Sequence, residues 1–162
     1  MPDAGKLINV LIGSIDLTRA PNRLASVLGS CIGLAIWDPE LRLAGMAHIL
    51  LPDSRGQANE SLPGKYADHA VTTLVRSLVE RGANRERLRA KFAGGARMFT
   101  RVAAGGAGDV GASNVSAVKQ ALTTARISIL AEDVGGNRGR KIVFDPASGS
   151  FAVDTLDTTN AI

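Results

Sequence analysis

Cys31 and His48 are the two residues of this chain whose types and spacing could carry out chemistry together. Cys31 is the only cysteine among 162 residues, and it lies between Gly29-Ser30 and the apolar run Ile32-Gly33-Leu34. A thiol beside an imidazole can act as a nucleophile, because the imidazole takes the thiol proton and later gives it to a leaving amine. The pair therefore predicts a cysteine hydrolase, in which backbone N–H groups beside Cys31 hold an oxyanion.

The segment Asp38-Pro39-Glu40 predicts the turn that brings the two residues together. Proline fits the second position of a β-turn, so the residues on the two sides of this segment are expected to pair as strands. A turn centred between Pro39 and Glu40 places Cys31 directly opposite His48, with Cβ atoms about 4.5–5.5 Å apart. At that distance the imidazole is expected to lower the pKa of the thiol to about 6, so that most of it is thiolate at neutral pH.

Each of these residues also has a purely structural interpretation. A lone cysteine in an apolar strand is often a buried, inert side chain, and His48 could be a strand histidine whose hydrogen bonds are satisfied. The second histidine, His69, falls early in an amphipathic segment with no nucleophile near it in the sequence, so we expect it on the surface or facing a partner. One cysteine and two histidines are too few for a convincing metal site. We expect neither a metal nor another cofactor.

Hydrophobic periodicity predicts several short strands and two helices around these residues. Apolar residues recur at helical spacing within 67–81, and Ser113 or Asn114 is expected to cap a second helix that runs to about Thr124. The predicted strands are residues 6–12, 23–38, 43–51, 88–92, 127–130, 141–145 and 149–153. This pattern indicates one mixed α and β domain over residues 1–154, followed by a frayed tail, 155–162.

Composition and charge argue against several classes of protein. Hydrophobic residues make up 45% of the chain, yet no apolar run approaches the roughly 20 residues of a membrane-spanning helix. The start resembles no signal peptide, and a single thiol suits the cytoplasm, where we expect the protein. A net charge of +4 with scattered basic residues and 4% aromatic residues does not predict nucleic-acid binding. Residues 106–111 fit the pattern GxGxxG, but too little chain follows them for a dinucleotide-binding half.

An ordered set of segments is similar to one known family. The segments are Leu28-Gly29-Ser30-Cys31, Trp37-Asp38-Pro39, Gly45-Met46-Ala47-His48, Leu51-Pro52, Lys65-Tyr66-Ala67-Asp68 and the runs 92–99 and 132–141. From about residue 5 to residue 154 the chain resembles the chemoreceptor glutamine deamidases of the CheD family. The resemblance implies an α+β fold, a β-sandwich of mixed sheets flanked by helices, related to cysteine-dependent toxin deamidases.

The resemblance also implies an activity and its residues. The activity is hydrolysis of selected glutamine side chains of methyl-accepting chemotaxis receptors to glutamate, with release of ammonia. The family's nucleophile and base match Cys31 and His48. The family carries a threonine six residues before its cysteine, where this chain has Ala25. Ser26 is adjacent, but neighbouring residues of a strand point to opposite faces, so Ser26 is expected to face away from the side that the threonine would occupy. Ser26 and Ser30 are nevertheless the candidates for the orienting or oxyanion role.

The absence of that threonine leaves a second function open. The chain could be a regulatory binding module that docks on chemoreceptors, or on CheC, with little or no catalysis. CheC, a phosphatase of the phosphorylated response regulator, is the second partner that the resemblance implies. In both interpretations we expect no nucleic-acid partner and contact with the membrane only through the receptors.

Overall fold

A computed structural model describes residues 4–58, 60–98 and 109–162. The helices within these ranges are α1 (Ala67–Glu80) and α2 (Val110–Thr124), and Arg85–Arg87 form one 3-10 turn. The strands are β1 (Leu7–Asn9), β2 (Ile15–Arg19), β3 (Arg23–Leu28), β4 (Ile32–Asp38), β5 (Leu43–Ile49), β6 (Arg89–Gly94), β7 (Ser128–Val134), β8 (Arg140–Asp145), β9 (Ser150–Asp154) and β10 (Thr159–Ala161). No helix in the described ranges combines the length and the apolar character needed to cross a membrane.

The strands form two five-stranded sheets, and each sheet is mixed. The first sheet has the order β1-β3-β8-β9-β10, with β1 parallel to β3 and the other neighbours antiparallel. The second sheet has the order β2-β5-β4-β6-β7, with β6 parallel to β7 and the other neighbours antiparallel. The predicted α+β fold, a sandwich of mixed sheets flanked by helices, is confirmed.

Two apolar cores hold three layers together. One core lies between the sheets, and Leu24, Met46 and Phe144 are among its fully buried members. The other core joins the second sheet to α1 and α2. The two central strands of the second sheet, β4 and β5, are therefore buried along their whole length. This burial on both faces explains why their sequences are almost continuously apolar.

The predicted strand 23–38 is wrong as a single element. It divides at Gly29 into β3 and β4, which belong to different sheets. The chain crosses between the layers in the short turn of residues 29–31. The predicted strands also did not include β2, although Ile15 and Leu17 alternate with polar residues in this edge strand.

The ends of two elements differ from the predictions. The side chain of Asp109 accepts a hydrogen bond from the Ala112 N–H at 3.1 Å, so Asp109 is the N-cap of α2. Ser113 and Asn114, the predicted caps, lie inside the helix. The predicted frayed tail is also wrong, because β10 pairs with β9 and places the final residue against the core between the sheets.

Candidate active site

Cys31 and His48 lie on the same face of the second sheet, towards the first sheet, but they are not directly opposite each other. Gly33 is the residue that pairs with His48. The predicted register is therefore wrong by two residues. The connection between β4 and β5 contains four residues, 39–42, and Arg42 has a positive φ of 51°, so the turn is centred one residue later than expected.

A slip of two residues keeps every side chain on its predicted face. Ala35, Trp37, Ala44 and Met46 share the inter-sheet core with Cys31, as the alternation along β4 and β5 requires. Cys31 lies one residue before β4 and two residues before Gly33, the partner of His48, so it is diagonal to His48 and not directly opposite. Within the described residues no hydrogen bond joins the thiol to His48.

Ser26 is the third side chain of the site, and it comes from the first sheet. Its Oγ donates a hydrogen bond to the Val10 carbonyl oxygen at 2.8 Å and lies 2.7 Å from His48 Nδ1. Since the hydroxyl proton is used on Val10, Nδ1–H must be the donor to Ser26 Oγ. Nδ1 is also 3.1 Å from the Val10 carbonyl oxygen, which can only accept. The network therefore places the ring proton on Nδ1 and leaves Nε2 as the basic nitrogen.

The alternation of β3 decides which of its residues can reach His48. Leu24 and Leu28 face the core between the sheets, and Ser26 shares their side of the strand. Ala25 and Val27 point the other way, and Val27 is 71% exposed. Ala25 and Ser26 do point to opposite faces, as the pleat predicts, but Ser26 is the one that faces the site. Ala25 consequently leaves no gap beside His48.

The turn that carries Cys31 is held by all three of its carbonyl oxygens. Those of Gly29, Ser30 and Cys31 accept hydrogen bonds, and the donors are, in order, the Ala96 N–H (3.1 Å), Asn114 Nδ2 (3.1 Å) and the Gly95 N–H (3.0 Å). Among the described residues, no hydrogen bond starts from the N–H of Ser30 or of Cys31.

Burial favours the uncharged form of both Cys31 and His48. Cys31 is 7% exposed, and burial raises the pKa of its thiol. Burial lowers the pKa of His48, against a smaller opposing effect of its hydrogen bond to the Val10 carbonyl. For the thiol, this direction is opposite to the expected lowering of its pKa.

Asn114 is a polar residue of the site that the sequence reasoning assigned only a capping role. It is fully buried on α2, and its Nδ2 donates to the Leu50 carbonyl oxygen at 3.1 Å as well as to Ser30. Its Oδ1 is buried without a hydrogen-bond partner in the described part of the chain. A signal was present, because Asn114 precedes Val118 and Leu122 at four-residue spacing and so occupies the apolar stripe of its helix.

The remaining candidates of the sequence lie elsewhere. His69 is half-buried on α1, where its Nε2 is 3.4 Å from Thr73 Oγ1. In the described ranges, no three His, Cys, Asp or Glu side chains are close enough to share a metal ion.

Of the GxGxxG pattern, residues 106–108 lie outside the described residues. Gly111 packs so closely on residues 95 and 96 that a Cβ atom would overlap their carbonyl oxygens, which explains that glycine by packing.

The fold and the site together define the class of this protein. It is a three-layer α+β domain in which a serine of one mixed sheet contacts a histidine of the other, and a cysteine lies in the core between the sheets. Residues 50–155 match the family model described as CheD, chemotactic sensory transduction. The chain belongs to the CheD family.

Curated relatives agree with that assignment. A protein of Clostridium botulinum named "probable chemoreceptor glutamine deamidase CheD" is 43% identical over 147 residues, which are 90% of this chain and 91% of the relative. A protein of the same name from Moorella thermoacetica is 43% identical over 157 residues, covering 92% of this chain and 90% of the relative. The "chemoreceptor glutamine deamidase CheD" of Bacillus licheniformis is 41% identical over 152 residues, covering 93% of this chain and 90% of its own. A crystal structure of the Bacillus licheniformis hypothetical protein YfiH matches 74% of this chain and 49% of its own at 18% identity and a TM-score of 0.45, a likeness too slight to carry an argument.

Proposed function

We propose that this protein hydrolyses glutamine side chains of chemotaxis receptors to glutamate and releases ammonia, with Cys31 as nucleophile and His48 as base. The observation that carries the proposal is the 2.7 Å contact between His48 Nδ1 and Ser26 Oγ. It leaves Nε2 free to take a proton on the sheet face that also carries Cys31. The names of the curated relatives support the substrate, since they are chemoreceptor glutamine deamidases.

In this proposal the first half of the reaction forms a thioester. With the carboxamide in place, His48 Nε2 takes the Sγ proton while Sγ bonds to the carboxamide carbon. The oxygen becomes an oxyanion, which the N–H groups of Cys31 and Ser30 stabilise. The imidazolium then gives its proton to the amide nitrogen, the C–N bond breaks and ammonia leaves.

The second half regenerates the enzyme. His48 Nε2 takes a proton from water, and the water oxygen bonds to the thioester carbon. The C–S bond breaks, the imidazolium returns a proton to sulfur, and the product is a glutamate side chain. Ser26 holds the ring of His48 throughout as a positioning residue, and Ser30 acts through its backbone N–H. These steps use no metal or other cofactor.

The location and partners form part of the same proposal. The resemblance to the family supports the chemotaxis receptors as substrate and a CheC-type phosphatase as a second binding partner. A receptor substrate in turn favours the cytoplasm, with contact to the membrane only through the receptors.

One observation favours a second candidate function. Cys31 is only 7% exposed, burial raises its pKa, and no hydrogen bond in the described residues prepares it for deprotonation. A protein with an inactive thiol would act as a regulatory module that binds receptors or CheC without catalysis.

Ammonia release separates the two candidates. The substrate is a purified receptor cytoplasmic domain, mixed with the wild-type protein or with Cys31→Ala, and binding of each to the receptor is measured in parallel. The proposal expects ammonia from the wild type and none from Cys31→Ala, with receptor binding retained by both. Binding by the wild type without ammonia would establish the second candidate instead.

A further inference from the structure

We infer that Asn114 is a positioning residue that prepares the oxyanion site by fixing the peptide plane between Ser30 and Cys31. This inference rests on the proposed function for its biological meaning, but the geometry that supports it is independent of the substrate.

The argument begins with the planarity of the peptide bond. In a trans peptide the C=O and the N–H of one plane point in opposite directions. Asn114 Nδ2 holds the Ser30 carbonyl towards α2 at 3.1 Å, so the Cys31 N–H points away from the helix. The Ala96 N–H holds the Gly29 carbonyl in the same way and thereby sets the direction of the Ser30 N–H. Two successive donors without an acceptor form a concavity that suits an anionic oxygen.

The same amide group also reaches the strand that carries the base. Asn114 Nδ2 donates to the carbonyl oxygen of Leu50, two residues after His48, at 3.1 Å. One buried side chain of the helix layer therefore joins the nucleophile turn to the end of β5. This bridge fixes the position of the oxyanion donors relative to the imidazole.

The amide of Asn114 has the donors that this position uses. Both partners are carbonyl oxygens, so the side chain must supply two hydrogen-bond donors from one atom. The remaining atom, Oδ1, is buried without a partner in the described residues, which is unfavourable for stability. An apolar residue would avoid this loss of stability, but it would donate neither of the two hydrogen bonds.

Two small probes of the thiol test the inference without a receptor. p-Nitrophenyl acetate acylates the thiol: a C–S bond forms, p-nitrophenolate leaves, and an oxyanion develops on the way. Iodoacetamide alkylates the same thiol by displacing iodide, and no oxyanion develops. Access to the thiol and its ionisation affect both rates alike and cancel in the ratio of the acylation rate to the alkylation rate. This ratio therefore reports the effect of the oxyanion donors.

We expect Asn114→Ala to lower this ratio about tenfold or more, because one oxyanion donor contributes about 10²–10³ in rate and the variant misdirects rather than removes it. Asn114→Ser keeps one donor and should lower the ratio less; it is the variant to measure if Asn114→Ala does not fold. Leu122→Ala is the matched control, since it empties a fully buried position of the same helix.

The possible results separate this inference from the proposed function. Leu122→Ala should lower stability and leave the ratio unchanged. A wild-type ratio in the Asn114 variants, or an equal fall in Leu122→Ala, would overturn the inference. If the ratio falls as expected but the wild-type protein releases no ammonia from receptors, the oxyanion site stands and the proposed substrate is wrong.

Discussion

Cys31 and His48 share a buried environment that favours the uncharged form of both. Burial raises the pKa of the thiol and lowers that of the imidazole, and both shifts favour the neutral group. In the proposed reaction, proton transfer from sulfur to Nε2 therefore accompanies the attack on the carboxamide. The imidazole is ready for this role, because its basic form is the populated one above its lowered pKa.

The first prediction concerns the pH dependence of thiol alkylation. Iodoacetamide should modify Cys31 in the native protein with a rate that rises through an ionisation above the ordinary value of about 8.5, because burial disfavours the thiolate. At pH 7 the reaction should be slower than that of free cysteine. An apparent pKa below about 8 would contradict this and restore the expectation of a preformed thiolate.

The second prediction concerns Ser26. Ser26→Ala removes the nearer of the two acceptors of the Nδ1 proton and leaves the Val10 carbonyl oxygen at 3.1 Å, so the ring of His48 is held less firmly. We expect kcat for receptor deamidation to fall about 10–100-fold, a part of the contribution of a general base. Ser26→Thr keeps the hydroxyl and should retain most of the activity. Unchanged kcat in Ser26→Ala would show that another group orients the ring.

Asp38 connects the hairpin of the site to the segment that follows α1. Its fully buried carboxylate accepts hydrogen bonds from the N–H groups of Glu40, Leu41 and Asn84 and from the guanidinium of Arg87. Burial alone would raise the pKa of Asp38, but its bonds to Arg87 and these N–H groups outweigh burial and lower it. The carboxylate thus fixes the four-residue turn that sets the register of Cys31 against His48.

The third prediction follows from this junction. Asp38→Asn removes the charge that faces Arg87 and puts an NH₂ group among hydrogen-bond donors. It should therefore lower the free energy of unfolding by about 2–4 kcal/mol, measured by urea denaturation. Glu40→Gln is the matched control, because Glu40 also contacts Arg87 at 3.2 Å but is 69% exposed. It should cost less than about 1 kcal/mol. Equal losses in the two variants would contradict the role assigned to the buried carboxylate.

Local patterns in the sequence predict some elements better than the pairing between them. The β4–β5 hairpin and α1 follow from apolar runs, the proline turn and helical spacing, all of which are local. The register depends on Arg42 adopting a positive φ, and this residue type gives no signal for it. The division of residues 23–38 between two sheets, and the approach of Ser26 to His48, depend on packing of distant strands. Asn114 could have been recognised from the sequence as a polar residue within the apolar stripe of its helix, but it was interpreted as a helix cap.

The site draws on all three layers of the molecule. Ser26 comes from the first sheet, His48 from the second, and Asn114 from the helix layer; Cys31 lies in the turn that crosses between the sheets. Its geometry therefore depends on the assembled sandwich, and no single hairpin contains it. The same assembly buries the titratable groups and makes global stability depend on pH.

The fourth prediction is that pH dependence. The folded state lowers the pKa of His48, so the unfolded chain binds the proton more readily, and stability is lost as pH falls below about 6.5. The folded state raises the pKa of Cys31, so stability is also lost as pH rises above about 8.5.

Urea midpoints across pH test this prediction with His48→Gln as the comparison. The variant should lose the slope just below pH 6.5. The lowered pKa values of Asp38 and Asp68 act in a separate window, where stability is lost as pH falls below 3.8. An identical slope near pH 6 in the variant would contradict the buried neutral state of His48.

Cysteine-dependent deamidation of a receptor is tested most directly by peptide mass mapping in ¹⁸O-labelled water. A receptor cytoplasmic domain is incubated with the wild-type protein or with Cys31→Ala, digested, and compared with a sample treated in ordinary water. Hydrolysis of a thioester adds one water oxygen, so we predict glutamine peptides heavier by about one dalton in ordinary water and about three in labelled water, and no change with Cys31→Ala. Receptor glutamines that stay unchanged with the wild-type protein, or that are converted equally by Cys31→Ala, would contradict the account.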